Sequence, residues 1–119
     1  MVRGLRGATT VDVDSTEQVT ERSQELIVRL MERNDLVEDD IVSVLFTATA
    51  DVTSIFPATA IRGIGFGAVP LLCAAEIAVP GAMPLCIRVL LHVHTTRTKD
   101  EIHHVYLHGA QGLRDDLPV

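Results

Sequence analysis

Hydrophobic and polar positions change period along the chain, and each change marks an element. Residues 2–10, Val2-Arg3-Gly4-Leu5-Arg6-Gly7-Ala8-Thr9-Thr10, read as a strand, with Gly4 and Gly7 allowing close backbone approach or a bulge. Ser15, with Gln18 three residues later, carries a capping-box signature and opens a helix. Val19, Leu26, Ile27, Leu30 and Met31 recur at helical spacing as one apolar stripe. Glu17, Glu21, Arg22, Glu25, Arg29 and Glu32 take the other side as a solvated face, with Glu25 and Arg29 a favourable i,i+4 pair. The helix should stop near Asn34.

Ile41 to Ala50 is a continuous β-branched and aliphatic run, the mark of a central strand covered on both faces. Asp51-Val52-Thr53-Ser54 is a turn, and Ser54 or a neighbour can cap a short helix with Pro57 early in it, ending at Gly63, Gly65 and Gly67. Residues 68–76 predict a third strand, 85–95 a fourth after the turn at Val79-Pro80-Gly81, and His103 to His108 a fifth. Thr98 to Glu101 is a polar loop or single helical turn, and Gly109 to Val119 a polar tail containing Arg114. The order β-α-β-α-β-β-β predicts an α+β fold, a mixed five-stranded sheet with two helices packed on one face, as a single domain over residues 1–119.

Composition narrows the class. A chain of 119 residues builds a modest core, burying somewhat under ~70% of its unfolded surface. Nearly half the residues are hydrophobic and few are aromatic, so the core is aliphatic, and so small and apolar a domain often completes its burial by oligomerising. A net charge of −6 disfavours nucleic acid and anionic membrane, which need a clustered basic footprint. Two cysteines are too few for a disulfide scaffold, and neither a signal pattern nor an apolar run of ~18 residues is present. The expectation is a soluble cytoplasmic protein with reduced thiols.

Arg88 is the residue out of place. It lies within Leu85-Cys86-Ile87-Arg88-Val89-Leu90-Leu91-His92-Val93, where an unpaired buried guanidinium would cost several kcal/mol. It must meet an anion, either a side chain or a ligand. Arg6 poses the same question in the first strand, and two fixed cations in apolar strands suggest a pocket for a carboxylate-bearing small molecule. The period-2 rule puts Cys86, Arg88, Leu90, His92 and His94 on one face of the fourth strand. Tyr106, the single tyrosine, is either a hydrogen-bond donor or core filler with a wet tip. Glu76 ends an apolar strand, where it can pair with Arg6 or Arg88 or accept a substrate hydroxyl. Cys73 falls on the opposite face from Glu76 in an ideal strand, and without a His–Asp partner pattern a structural thiol is its default reading. His92 and His94 could chelate a metal, but no third ligand has a recognisable spacing, so solvated or interface histidines are expected.

Taken in order, R-G-x-R-G-A-T-T (3–10), T-A-T-x-D (47–51), F-P-A-x-A-x-R (56–62), C-x-x-E (73–76), C-I-R-V (86–89), H-V-Y-L (104–107) and L-R-x-D-L (113–117) resemble the monofunctional AroH-type chorismate mutases of Bacillus and Thermus. The resemblance implies a homotrimer with a barrel-like core of packed sheets and active sites in the subunit clefts. It implies an isomerase that turns chorismate into prephenate in aromatic amino-acid biosynthesis, with no cofactor and no metal. Arg88 would donate to the ether oxygen and a substrate carboxylate, and Arg6 and Tyr106 would bind carboxylate. Glu76 and Cys73 would contact the ring hydroxyl. Phe56, Ala58 and Leu113 would shape an apolar wall, with Arg62 and Arg114 at the mouth or in the closing tail. The alternative is a trimeric non-catalytic binding module for a small anionic metabolite, since such trimers also set an arginine against a carboxylate.

One departure has a kinetic consequence. The family pattern carries a lysine in the F-P-A-x-A block where this chain has Thr59. Loss of that cation weakens capture of an anionic substrate more than it weakens the chemical step, and Arg62 can substitute only in part. A raised Michaelis constant with largely preserved turnover is expected, checked by kinetics at low and high salt. A turnover defect that salt does not alter would refute it.

Overall fold

The computed structural model describes residues 1–113. Strand β1 (Val2–Thr10) leads into helix α1 (Thr16–Arg33), followed by β2 (Ile41–Ala48), the short helix α2 (Pro57–Arg62), β3 (Leu71–Ala75), β4 (Cys86–His94) and β5 (Val105–Tyr106). The sheet order is β3-β2-β4-β1-β5. β4 lies antiparallel to both β1 and β2, whereas β3 and β5 run parallel to their neighbours. The expected mixed five-stranded sheet with two helices on one face is therefore observed.

The core follows from the pleat. Ile87, Val89, Leu91 and Val93 of β4, Val44 and Phe46 of β2 and Leu5 of β1 are buried in one cluster with Val19, Leu26, Ile27 and Leu30 of α1 and Ala58 and Ile61 of α2. Alternate residues of the same strands point away from the helices. Close approach of α1 is possible because β1 presents Gly7 there. A Cβ on Gly7 would come within 2.9 Å of Leu30 Cδ1, 3.0 Å of Val89 Cγ1 and 3.1 Å of Leu26 Cδ1.

Several elements are shorter or differently supported than their sequences suggest. β5 has two residues instead of six, because the chain turns at His108, whose φ is +51°. β3 begins only after Pro70, which cannot donate to a ladder and instead accepts from Val44 N–H at 3.0 Å. β2 ends at Ala48, and its second face is not covered by either helix: Leu45 and Thr47 stay half-exposed there. Ser15 Oγ accepts from Gln18 N–H at 3.1 Å, but the Gln18 amide reaches past Ser15 to the Asp12 and Val13 N–H groups, so only half of the capping box forms. Ser54 does not cap α2, whose preceding residue is Phe56.

The polar side of α1 is not wholly solvated. Arg22 is 9% exposed; it donates to the Thr10 carbonyl and lies 3.2 Å from the Asp12 carboxylate, fastening the helix to the end of β1. Glu25 pairs with His108 at 2.8 Å rather than with Arg29. Asn34, buried at the C-terminus of α1, donates to the carbonyls of Leu30 and His103 and accepts from His103 N–H at 2.7 Å, which sets the approach to β5. Among the described residues no helix is long and apolar enough to cross a membrane.

The Gly7 contact is testable. Gly7→Ala forces a methyl group against three core side chains and should destabilise the fold by about 1–3 kcal/mol. Urea unfolding followed by circular dichroism measures this, and an unchanged midpoint would show that α1 can shift away at little cost.

Candidate active site

The face of the sheet turned away from the helices gathers the chemistry. Register places Arg88 opposite Ala8 on one side and Thr47 on the other, Arg6 opposite Leu90, and Tyr106 beside Ala8. With Leu45, Leu90 and Thr47 these residues line a cavity of about 270 Å³. Arg6, Arg88 and Tyr106, drawn from three strands, thus line one depression.

Arg88 has its anion within the chain. Its Nε lies 2.9 Å from Glu76 Oε1, with the arginine side chain 43% exposed and the glutamate 17%. Of the three roles open to Glu76, pairing with Arg88 is the one present in the folded chain. The contact is an ion pair rather than an aligned hydrogen bond, since Arg88 Nε and Glu76 Oε2 are both buried without a hydrogen-bond partner. Their charges offset one another. Cys86 lies close to both; burial pushes its thiol pKa up, against the pull of Arg88, so it stays a neutral thiol.

The start of β4 is clamped by the T-x-D part of the 47–51 motif, a support that sequence reasoning left without a role. Thr49 Oγ1 donates to Asp51 at 2.5 Å and accepts from Cys86 N–H at 3.0 Å. The Asp51 carboxylate accepts Leu85 N–H at 3.0 and 3.1 Å. Leu85 is held at φ +51°, a conformation that costs an L-residue free energy and persists only where its surroundings impose it. The clamp ends on Cys86, two residues before Arg88, and sets where the guanidinium emerges.

A second cavity, about 570 Å³, lies between the end of β2, the 49–56 loop and β3, with Phe56, Pro57, Ile55 and Cys73 among its lining residues. Phe56 is 70% exposed, a large apolar surface to leave in water. The predicted site residues thus fall into two groups within one chain. Glu76 joins Arg88, whereas Cys73 joins Phe56. Ala58 is buried in the core, Arg62 is exposed at the end of α2, and Leu113 follows the last helical turn without lining either cavity. Arg114 lies outside the described residues. Ser43 Oγ and His92 Nδ1 are 3.0 Å apart, and His104 Nδ1 accepts from Arg6 N–H at 2.9 Å. Among the described residues no three His, Cys, Asp or Glu side chains gather in a metal-binding arrangement.

Comparison with known proteins decides the lineage. The family model described as chorismate mutase type I matches residues 2–117. The chain belongs to the type I chorismate mutase family. It is 46% identical over 118 residues to chorismate mutase AroH of Thermus thermophilus, covering 98% of this chain and 97% of that one. It is 41% identical over 120 residues to chorismate mutase AroH of Bacillus subtilis strain 168, covering 100% of this chain and 94% of that one. The solved chorismate mutase of Clostridium thermocellum superposes with a TM-score of 0.89 at 44% identity, over 91% of this chain and 96% of that one. The family expected from the motifs is borne out, and with it the reading of the chain as an isomerase of the chorismate mutase type rather than a non-catalytic module.

The 49–56 loop that carries Phe56 is anchored from the connection between β1 and α1. Asp14 accepts from Thr53 Oγ1 at 2.8 Å, Thr53 N–H at 3.0 Å and Ser54 N–H at 3.1 Å. The Thr53 hydroxyl bond, then the backbone bonds, hold the Asp14 pKa at about 2, below its ordinary 3.8. A folded pKa below the unfolded one stabilises the fold above about pH 4 and loses that contribution as pH falls toward about 2. Asp14→Ala should therefore unfold in urea with a shallower loss of stability across that window than the parent; equal slopes would remove the anchor from the account.

Proposed function

We propose that the protein converts chorismate to prephenate in the cavity of Arg6, Arg88 and Tyr106, completed by a neighbouring copy. The reaction is an intramolecular Claisen-type rearrangement: one carbon–oxygen bond breaks as one carbon–carbon bond forms. It needs neither nucleophile nor proton transfer. The protein must hold the flexible enolpyruvyl ether in its compact reactive conformer. It must also stabilise negative charge that grows on the ether oxygen.

The convergence of Arg88, Arg6 and Tyr106 on one face carries this reading. Arg88 is permanently charged, and its side chain stays partly open while Nε faces Glu76. In the bound state it donates to the ether oxygen and to one carboxylate. Arg6 and the Tyr106 hydroxyl take a carboxylate. Glu76 keeps Arg88 in place and is the acceptor for the ring hydroxyl. No cofactor or metal enters any of these steps.

The proposed assembly is a homotrimer. The uncovered sheet face exposes Leu72, 64% accessible, next in register to Leu45, and half-exposes Leu90. Stacking such faces around a threefold axis buries them as a barrel-like core. The same contact brings the Phe56–Cys73 wall of one copy to the Arg88 cavity of the next, uniting the two groups that a single chain keeps apart. Phe56 then shapes the apolar wall with the α2 backbone at Ala58, Cys73 reaches the ring hydroxyl, and Arg62 and Leu113 lie toward the mouth. A cytoplasmic location accords with this role.

Loss of chorismate absorbance, with prephenate identified by acid conversion to phenylpyruvate, tests the activity. Arg88→Ala should remain folded and lose at least ~100-fold in turnover, about 3 kcal/mol of transition-state stabilisation. Near-normal turnover of that variant would show the assigned mechanism to be wrong.

A further inference from the structure

The wall that carries Phe56 is built from a segment with little means of holding itself. Residues 53–57 line one side of the 570 Å³ cavity, whose lining also takes in Cys73, Ala74 and Ala75 of β3. Phe56 immediately precedes α2, which has only six residues, whereas an isolated helix needs about 12–15 residues to be even marginally stable in water. Phe56 stays 70% exposed, so packing within its own chain does not fix it. Two side chains from outside the segment hold the backbone instead. Asp14, adjacent to Ser15 at the start of α1, accepts from Thr53 N–H, Thr53 Oγ1 and Ser54 N–H. Gln24 of α1 donates from Nε2 to the Ala60 carbonyl at 3.0 Å, in the last turn of α2, where a helix leaves its carbonyls without intrahelical partners. Phe56 falls between these two attachments. Both hang from one firm body, because α1 buries Val19, Leu26, Ile27 and Leu30, and Arg22 ties it to the Thr10 carbonyl.

We propose that Asp14 and Gln24 are positioning residues for substrate binding: they hold the Phe56 wall in its binding arrangement before substrate arrives. The inference rests on the chorismate mutase reading above, in which that wall meets the Arg88 cavity of a neighbouring copy. Neither residue lines the Arg88 cavity or the Phe56 cavity, so each acts through the backbone it holds. A wall that is in place for only a fraction of the time lowers the apparent affinity by that fraction. Bound substrate and transition state need the ordered wall equally, so its loss falls on KM and leaves turnover alone. The sign separates this effect from electrostatics. Removing the Asp14 carboxylate takes a negative charge from the chain, which by itself favours an anionic substrate and lowers KM.

Steady-state kinetics of Asp14→Ala, Gln24→Ala and Asp14→Asn supply the test. KM for chorismate should rise roughly fivefold in Asp14→Ala and roughly threefold in Gln24→Ala, with kcat within about twofold of the parent. Asp14→Asn keeps an oxygen that can accept from Thr53, and its KM should fall between those of Asp14→Ala and the parent. Unchanged KM in both alanine variants, or a fall in kcat larger than the rise in KM, would overturn the proposal while leaving the mutase assignment intact. Should Asp14→Ala fail to fold, Asp14→Asn and Gln24→Ala carry the same comparison. Hydrogen exchange of the free protein adds a readout that needs no turnover. The Thr59 and Ala60 amides donate to the Phe56 carbonyl and keep that acceptor in every variant, so their exchange reports loosening of the segment. It should quicken roughly tenfold in the alanine variants; unchanged exchange at both amides would equally overturn the proposal. Should the parent fail to turn over chorismate, the functional reading falls, and exchange alone decides whether Asp14 and Gln24 hold the wall.

Discussion

Strand β4 can give only one of its two faces to the helices, and that constraint organises the molecule. The pleat sends Ile87, Val89, Leu91 and Val93 into the core, where each is at most 4% exposed, and delivers Cys86, Arg88, Leu90 and His92 to the other side. β1 pairs with the strand along its whole length and β2 along most of it, and Cys86 N–H is held by Thr49 Oγ1. The position of Arg88 is therefore as rigid as the core itself, and a guanidinium held on such a platform loses little entropy when it meets a ligand.

The charge that this platform presents is kept from collapsing in two ways. Glu76 offsets the charge of Arg88 at 2.9 Å while the arginine side chain stays partly exposed. The clamp of Thr49 and Asp51 on Leu85 and Cys86 holds the strand entry so that the pair does not drift. Elsewhere arginines are spent on architecture: Arg22 joins α1 to β1, and Arg97 joins Asp35 and the Arg33 carbonyl. Arg22 and Arg97 thus serve as fasteners, whereas Arg6 and Arg88 line a cavity on the uncovered face.

That face is the one the proposed trimer would cover. Apolar side chains such as Leu72 and Phe56 remain in water, while the cationic cavity and the apolar wall stand apart. Both features have one remedy in the proposed trimer, where burial of the open face and completion of the pocket are the same event. Stability and activity would then rise together with assembly.

The sequence by itself determined the alternation on β4, the amphipathic stripe of α1, the early proline of α2 and, through motifs in order along nearly the whole chain, the family. These are local properties, written in periodicity and in the identity of residues a few positions apart. It could not foresee that Arg22 would turn inward, that Glu25 would choose His108 over Arg29, or that β5 would stop after two residues. Nor could it choose among the partners open to Glu76. Those outcomes depend on groups brought together from distant points of the chain, where a hydrogen bond to a strand-end carbonyl or a turn at positive φ outweighs a helix-surface pair worth a few tenths of a kcal/mol, roughly 0.2–0.5. The gathering of Arg6, Arg88 and Tyr106 in one hollow is likewise a matter of strand order, β4 beside β1 beside β5, which only tertiary pairing decides.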